Sequence, residues 1–409
     1  MIWEDMDTTI RFQLKQFIKQ AVQNIVLPVC YQIHRGRAVD PKLVIFADAH
    51  HDSRPAAMEL LYRSLKKSGN YRIVEHYLDY AQASPAAVAK HSIRFMKLYA
   101  FAGTVIICDN FLPVASCRKR KETKVVQLWH ACGCYKRFGY DAKDDIPEHY
   151  HGANVYRNAD LVTVSGNAAV RPFACAMRLP GHCVQPVGVS RTDLYFRESW
   201  NRRCRAQFYE QYPQARGKKV VLWAPTFRGN AGEADIPPLN LDRLQEELGE
   251  EFLVLARLHP HMLPSLKRME GGSIALAQRE TGSLSAEELY PVVDILIADY
   301  SSLIYEYLLF RKPLILFVPD LDEYRSRRGF YMPVEEIPAE IILRETDLPA
   351  AVGRAAVTQR SKTDTSAATD AFLARYMGAC DGHATDRIQA WIERNELQFT
   401  APKARVAGQ

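Results

Sequence analysis

Residues 294–333, DILIADYSSLIYEYLLFRKPLILFVPDLDEYRSRRGFYMP, decide the fold. Ile295, Leu296 and Ile297 form a short apolar run without alternation, the pattern of a strand buried on both faces. Asp299, Tyr300, Ser301 and Ser302 interrupt it. Leu303, Ile304, Tyr307, Leu308 and Phe310 then recur at helical spacing, Lys312-Pro313 stops the helix, and residues 314–318 (LILFV) read as a second buried strand. Strand, polar turn, helix and strand in that order build parallel α/β sheets. Such sheets bind ligands at the carboxyl ends of their strands, where this polar turn falls. Ser301 and Ser302 can offer hydroxyls and helix-terminal N–H groups to a phosphate. The same pair can equally do no more than cap the helix, and Asp299 reads as a capping residue ahead of a metal ligand.

A first α/β domain lies upstream. Residues 43–46 are a strand, and the loop ADAHHDSRP lies at its carboxyl end with His50 and His51. A helix at 56–67, strands at 71–74 and 104–108, and a helical stretch at 92–100 follow. Residues 124–129 form a strand that ends at Trp129-His130, before the small residues Ala131, Cys132 and Gly133. A histidine there can reach into a cleft and take a proton from a hydroxyl near neutral pH; a buried structural histidine is the alternative. Further strands fall within 157–166 and 182–196, the second with a turn carrying Arg191 and Asp193. Polar sequence at 197–219 marks a domain boundary. Beyond it the strand at 220–223 runs into Pro225-Thr226-Phe227-Arg228, and the strand at 252–256 runs into RLHPHM, with Arg257 and His259. Hydroxyls and cations at strand ends suit a phosphate.

Residues 8–27 read as an amphipathic helix ended by Pro28. Ile10, Leu14, Phe17, Ile18, Ala21 and Ile25 lie on one face, with Arg11, Lys15 and Lys19 on the other. It can pack on the protein's own body or lie in the surface of an anionic membrane; its composition favours the membrane. The basic cluster at 118–121 reads as a solvated loop rather than a polyanion site. The expected organisation is therefore a membrane-associating helix (1–36), a Rossmann-like acceptor domain (37–205), a Rossmann-like donor domain (206–398) and a disordered tail (399–409).

Composition sets limits. A chain of 409 residues has room for two domains, and 47% hydrophobic with 24% charged residues is globular. The N-terminus has acids where a secretory leader is basic, and no apolar run reaches the roughly 18 residues of a spanning helix. Nine cysteines, an odd number, fit reduced thiols. Cys132 and Cys134 make a poor zinc pair without a second one. A net charge of +6 permits acidic partners without calling for nucleic acid. Neither GxGxxG nor GxxxxGK[ST] occurs, which disfavours nicotinamide and P-loop enzymes.

His130 and the His50 loop would come from one sheet, and Thr226, Arg228, Arg257, His259, Ser301 and Ser302 from the other. Strand ends carrying His, Arg, Thr and Ser but few carboxylates describe a site for a doubly charged phosphate group. The fold class is thus α/β, two facing doubly wound, GT-B-like domains with the site in the cleft between them. The segments QLWHACGCYKRFGY, VLWAPTFRG, RLHPH and the 294–331 stretch resemble the CDP-glycerol glycerophosphotransferase family, in the family's order from about 127 to 331. GVSRTDLYF resembles its G-x-P-R-x-D turn with Ser190 for the usual proline, and WHACG stands where some members carry W-H-G-T.

The resemblance implies a CDP-glycerol or CDP-ribitol donor and a hydroxyl acceptor on a lipid-linked saccharide or poly(alditol phosphate). CMP leaves, in teichoic acid or related polymer synthesis at the cytoplasmic face of the membrane. It implies His130 as general base, His259 as a second essential histidine near the donor phosphates, and Thr226, Arg257, Ser301 and Ser302 as diphosphate contacts. Arg328, in the R-G-x-Y segment, is a residue that closes on the donor. From their places at strand ends and turns, Arg228 is expected as a donor-side cation and His50, His51, Arg191 and Asp193 as acceptor-side groups. No cofactor is implied; divalent metal dependence is compatible but not called for. Two rivals remain at this stage, a GT-B glycosyltransferase using a nucleotide sugar and a non-enzymatic protein that binds membrane or anionic polymer.

Overall fold

The structure is a computed structural model that describes residues 17, 20–142, 145–146, 153–229, 236–258, 262, 284–361 and 365–394. The chain forms two compact units. One comprises the described residues up to His130, Phe138–Arg191 and the chain from His383; the other comprises Ala131–Arg137 and Thr192–Gly382.

The first unit is built on a six-stranded parallel sheet of order β2-β1-β3-β4-β5-β6. Its strands are β1 (Asp40–Asp48), β2 (Arg72–Tyr77), β3 (Ala102–Ile107), β4 (Lys124–Gln127), β5 (Leu161–Thr163) and β6 (Val184–Gln185). The apolar run of β1 serves both faces by alternation. Leu43, Ile45 and Ala47 pack with Leu27 and Tyr31 of α1 (Leu27–His34) and with Phe95, Met96 and Tyr99 of a long helix described below. Val44 and Phe46 face the other way, against Met58, Leu61 and Leu65 of α2 (Ala56–Ser68) and Ile388, Trp391 and Ile392 of the C-terminal helix Ala384–Glu393. Burial of each such side chain is worth about 1.5–3 kcal/mol. The helix expected at 92–100 begins earlier, as α3 (Pro85–Tyr99), because Ser84 caps it by accepting the Ala87 N–H and Pro85 fits the first turn.

The second unit holds a five-stranded parallel sheet of order β11-β10-β9-β7-β8. These strands are β7 (Lys219–Ala224), β8 (Phe252–Ala256), β9 (Ile295–Ala298), β10 (Leu314–Phe317) and β11 (Glu340–Ile342). Both sheets reverse their order beside their first strand, between β1 and β3 and between β7 and β9. These switch points open crevices at the strands' carboxyl ends.

Several expectations change. The polar stretch 197–219 contains a helix, α4 (Glu198–Gln211), whose buried Trp200, Cys204 and Phe208 recur every fourth residue among arginines that disguise the stripe. The division between units falls at Arg191/Thr192 rather than 205/206, and the C-terminal helix returns to the first unit because Ile388, Trp391 and Ile392 share one apolar face. Pro28 does not end the N-terminal helix. A π-helical turn, Val22–Val26, runs into α1, and Pro28 sits in the first turn of α1, where its missing N–H costs nothing. Most of the expected stripe at 8–27, like the tail 399–409, lies outside the described residues. Of its described members, Phe17 and Ile25 are 68% and 62% exposed, and Val29 and Ile33 extend the exposed stripe. In the 118–121 cluster the inner two cations are structural: Lys119 pairs with Asp160 at 3.0 Å, and Arg120 donates to the carbonyls of Arg35 and Arg37.

The first unit also buries a pair of stacked imidazoles, His76 and His91, with centroids 3.6 Å apart. Burial, together with the neighbouring ring and Arg94, pushes His76 down to about 3, and burial and Arg94 push His91 down to about 4. The unfolded chain takes up these protons near the ordinary histidine value of about 6.5. The pair therefore contributes fully above that pH and progressively less as pH falls toward 4. Urea midpoints should drop between pH 7 and 4, and the drop should be shallower in His76→Phe; parallel curves for the two proteins would remove the pair as the cause.

Candidate active site

In the first unit the switch point between β1 and β3 gathers three histidines over two carboxylates. β3 ends into Cys108-Asp109-Asn110, and Asp109 Oδ2 lies 3.1 Å from Nδ1 of His130. His130 follows Trp129, whose φ of +57° is unusual for a residue with a side chain. That turn is held from several sides. The Trp129 N–H donates to Gln127 Oε1 at 3.0 Å, and Gln127 Nε2 donates to the Asp109 carbonyl at 3.0 Å, so one buried amide ties the exits of β4 and β3 together. The Trp129 ring packs against Phe138 and Phe173 and stacks on the imidazole of His130, centroid to centroid 4.6 Å. The His130 carbonyl accepts from Arg191 Nη1 at 2.7 Å. The imidazole itself is about half exposed, at 52%.

With Nδ1–H donated to Asp109, the Nε2 lone pair of a neutral His130 is left available. Burial pushes the Asp109 carboxyl up, but the His130 hydrogen bond and the charges of His130 and His50 outweigh it, leaving Asp109 below its ordinary value. His50 Nε2 stands 4.0 Å from the other oxygen of Asp109. His51 Nδ1 lies 2.8 Å from Oδ2 of Asp48, a buried carboxylate that also accepts the His50 N–H at 2.8 Å and the Cys108 thiol at 3.6 Å. Arg191 and Asp193, expected on the acceptor side, are both buried, 8% and 2% exposed. Arg191 donates to the backbone carbonyl of His130 and so braces it.

In the second unit the switch point between β7 and β9 is bridged by Asp299, which is 2% exposed. Asp299 accepts the Thr226 N–H on both oxygens (2.8 and 3.0 Å), the Tyr300 N–H at 2.6 Å and Arg228 Nη1 at 2.9 Å. Its hydrogen bonds therefore run chiefly to the loop after β7 and not to the first turn of the following helix, α5 (Leu303–Leu308). Arg228 also forms a two-pronged pair with Asp320 (Nε 2.6 Å, Nη2 3.0 Å) and donates to the Thr226 carbonyl. Its guanidinium lies against the rings of Tyr300 and Tyr324, themselves stacked at 3.8 Å. Burial acts to lower its affinity for the proton, but the two carboxylates outweigh that and raise it. Burial pushes Asp299 up despite Arg228. Expected as a free donor-side cation, Arg228 is thus committed to internal carboxylates, and its role is to fix the loop that carries Thr226.

Ser301 and Ser302 stand half-buried at the start of α5. Ser301 Oγ accepts the Leu303 N–H at 3.4 Å, while Ser302, at the N-cap, makes no side-chain cap bond. Arg257 leaves β8 half-buried, its N–H on the Trp223 carbonyl at 2.8 Å. Arg328 follows α6 (Leu321–Arg327) and donates Nε to the Arg137 carbonyl at 3.0 Å. Around it Gly329–Tyr331 pairs with Tyr135–Arg137: the Arg137 N–H reaches the Gly329 carbonyl at 3.2 Å and the Tyr331 N–H the Tyr135 carbonyl at 2.9 Å. Gly133 is fixed in the same segment, since a Cβ there would lie 2.3 Å from the Tyr305 ring. His259 lies outside the described residues.

Asp109, Asp48 and Gln127 were missed in the sequence. The signal for Asp109 is an acid directly after the apolar run 104–108, the same signal that singled out Asp299.

Two doubly wound parallel sheets, each with a crevice at its switch point, define the GT-B-like fold class. The chain belongs to the CDP-glycerol:poly(glycerophosphate) glycerophosphotransferase family, whose pattern it matches over residues 29–394. It is 30% identical over 389 residues to a teichoic acid ribitol-phosphate primase of Bacillus spizizenii, covering 93% of this chain and 98% of the primase. Against the teichoic acid poly(ribitol-phosphate) polymerase of the same organism it is 30% identical over 312 residues, 74% of this chain but only 49% of the polymerase. Its fold is similar to that of the wall teichoic acid polymerase TagF, with a TM-score of 0.68 at 21% identity over 95% of this chain and 98% of that one.

Removing Arg228 would strand the buried Asp299 and half-buried Asp320. Arg228→Met should lower the unfolding free energy of the second unit by about 3–5 kcal/mol. Urea denaturation followed in that unit checks it; a loss under about 1 kcal/mol would show that the guanidinium does not hold the loop.

Proposed function

We propose that this protein transfers glycerol phosphate or ribitol phosphate from a CDP-alditol to a hydroxyl of a lipid-linked saccharide or poly(alditol phosphate) acceptor, releasing CMP. Membership of the family supports the reaction class, and so does the match to nearly the whole of a ribitol-phosphate primase. The observation that carries the reading is the pairing of His130 Nδ1 with Asp109 at 3.1 Å, which turns the second ring nitrogen of a half-exposed histidine into a proton acceptor.

In this reading the acceptor hydroxyl gives its proton to His130 Nε2. Its oxygen attacks the alditol-bearing phosphorus as the bond to the CMP oxygen breaks. Asp109 stabilises the imidazolium that forms. Thr226, Arg257, Ser301, Ser302, Arg328 and His259 serve the donor diphosphate; Arg228 supports them through Asp299. These cations, hydroxyls and N–H groups, rather than a bound metal, carry the developing charge. His130→Ala should slow CMP release by roughly two to four orders of magnitude, and Asp109→Asn should lower kcat with little change in donor KM. CMP release from CDP-glycerol and CDP-ribitol with a lipid-linked acceptor reads both; near-full turnover in His130→Ala would overturn the assignment of the base.

We also propose attachment to the cytoplasmic surface of an anionic membrane. Among the described residues no helix is long and apolar enough to cross one. Support comes from the exposed apolar positions Ile25, Val29 and Ile33, spaced four apart, beside Arg35, Arg37, Arg118 and Lys121. The Arg120 hydrogen bonds to the Arg35 and Arg37 carbonyls join the basic loop to the end of the helix. Replacing Ile25, Val29 and Ile33 by Ser should markedly reduce flotation with phosphatidylglycerol vesicles; undiminished flotation would sink this surface as the anchor.

A further inference from the structure

Two Asp–His pairs share the β1/β3 switch point, and the proposed chemistry uses one. The second is Asp48–His51. Asp48 is 1% exposed, and His51 sits above it with Nδ1 at 2.8 Å and a side chain 56% exposed. The geometry matches that of Asp109–His130: Nδ1 on a carboxylate, Nε2 turned away from it. The two pairs are coupled at close range. Cys108, adjacent to Asp109, donates its thiol to Asp48, and His50 joins the carboxylates through its N–H to Asp48 and its Nε2 4.0 Å from Asp109. Asp48 accepts three donors from its own surroundings and is itself buried, so the accessible part of the pair is the imidazole.

A neutral imidazole with Nδ1–H given to a carboxylate presents only a lone pair at Nε2. That edge matches a hydroxyl donor and has nothing to offer a phosphate oxygen. One such lone pair suffices to remove the proton from the attacking hydroxyl. A second one nearby fits a second hydroxyl on the same acceptor end. We infer that His51, oriented by Asp48, is a specificity-determining residue that accepts a hydrogen bond from a non-reacting hydroxyl of the acceptor, selecting polyol ends over simple alcohols. The inference rests on the transferase reading above and on His130 being the base. It assigns His51 to substrate binding and not to the proton transfer.

A polar site that hydrogen-bonds a substrate hydroxyl discriminates against the analogue lacking it. For a half-exposed imidazole, where water partly replaces the lost bond, about tenfold is expected. The test uses the full chain, a CDP-alditol donor and two synthetic lipid-linked acceptors, one ending in glycerol phosphate and the other in propane-1,3-diol phosphate. Both offer the primary hydroxyl; only the first offers a second one. The wild type should favour the glycerol end about tenfold in kcat/KM, chiefly through acceptor KM. His51→Ala should bring that ratio close to one, and His51→Gln, which keeps an acceptor atom, should restore part of it. His51→Ala removes one of the donors to the buried Asp48 and His51→Gln can replace it, so circular dichroism and thermal unfolding check that both variants fold. A preference unchanged in His51→Ala, or equal losses on both acceptors, overturns the inference while leaving the transferase reading intact. A wild type that releases CMP with both acceptors equally does the same. No CMP from the wild type with either donor would overturn the transferase reading and this inference with it.

Discussion

Each sheet carries a carboxylate at the carboxyl end of a strand beside its switch point, and each such carboxylate has to be neutralised there. Carboxylates in that place accept hydrogen bonds from loops that leave neighbouring strands, so they fix the crevice in which a ligand can lie. Asp109 and Asp48 do this in the first unit through Gln127's neighbour loop and the His50 loop; Asp299 does it in the second through Thr226 and Arg228. The geometry of the remaining site residues follows from how each charge is met. The strand ends themselves are rigid, being hydrogen-bonded in register to the strands on both sides.

The kind of neutralising group separates the two units. An arginine cannot be deprotonated in a protein, so Arg228 between Asp299 and Asp320 is a permanent ion pair that stiffens its loop. Its cation is no longer at the disposal of a phosphate. A histidine against a carboxylate keeps a second nitrogen whose proton can come and go near neutral pH. The first unit therefore presents proton-accepting edges, and the second presents hydroxyls and N–H groups on a stiffened loop. The aromatic stack of Tyr300, Tyr324 and Phe330, with Tyr135 against Phe330, extends that stiffness to the Arg328 segment.

The sheets were legible because apolar runs buried on both faces are hard to mistake, and because polar residues at their ends fall where ligands bind. His130, His50 and His51 were legible for the same reason. Arg228 was legible as a cation at a strand end but not as a committed one, since Asp320 comes from 92 residues away and only the fold brings it to the guanidinium. Arg191 is similar: nothing local shows that it braces a carbonyl 61 residues earlier. Helix α4 was hidden by the arginines flanking Trp200, Cys204 and Phe208. The return of the C-terminal helix to the first unit depends on an apolar face that would fit either sheet. Local pattern specifies elements and strand ends; it does not specify which long-range partner claims a charge.

How precisely His130 is held bears on its chemistry. Its backbone is constrained before and at the residue. Trp129 is locked at a positive φ by Gln127 and by packing against Phe138 and Phe173. The carbonyl of His130 is held by the buried Arg191. What freedom remains is rotation of the imidazole, and Asp109 and the Trp129 ring restrict that. An imidazole placed in this way is ordered during folding, so little of its freedom is left to be lost on meeting a ligand. The ring stays half exposed because Asp109 takes its Nδ1 edge and the Trp129 ring takes one of its faces, while the rest is left to solvent.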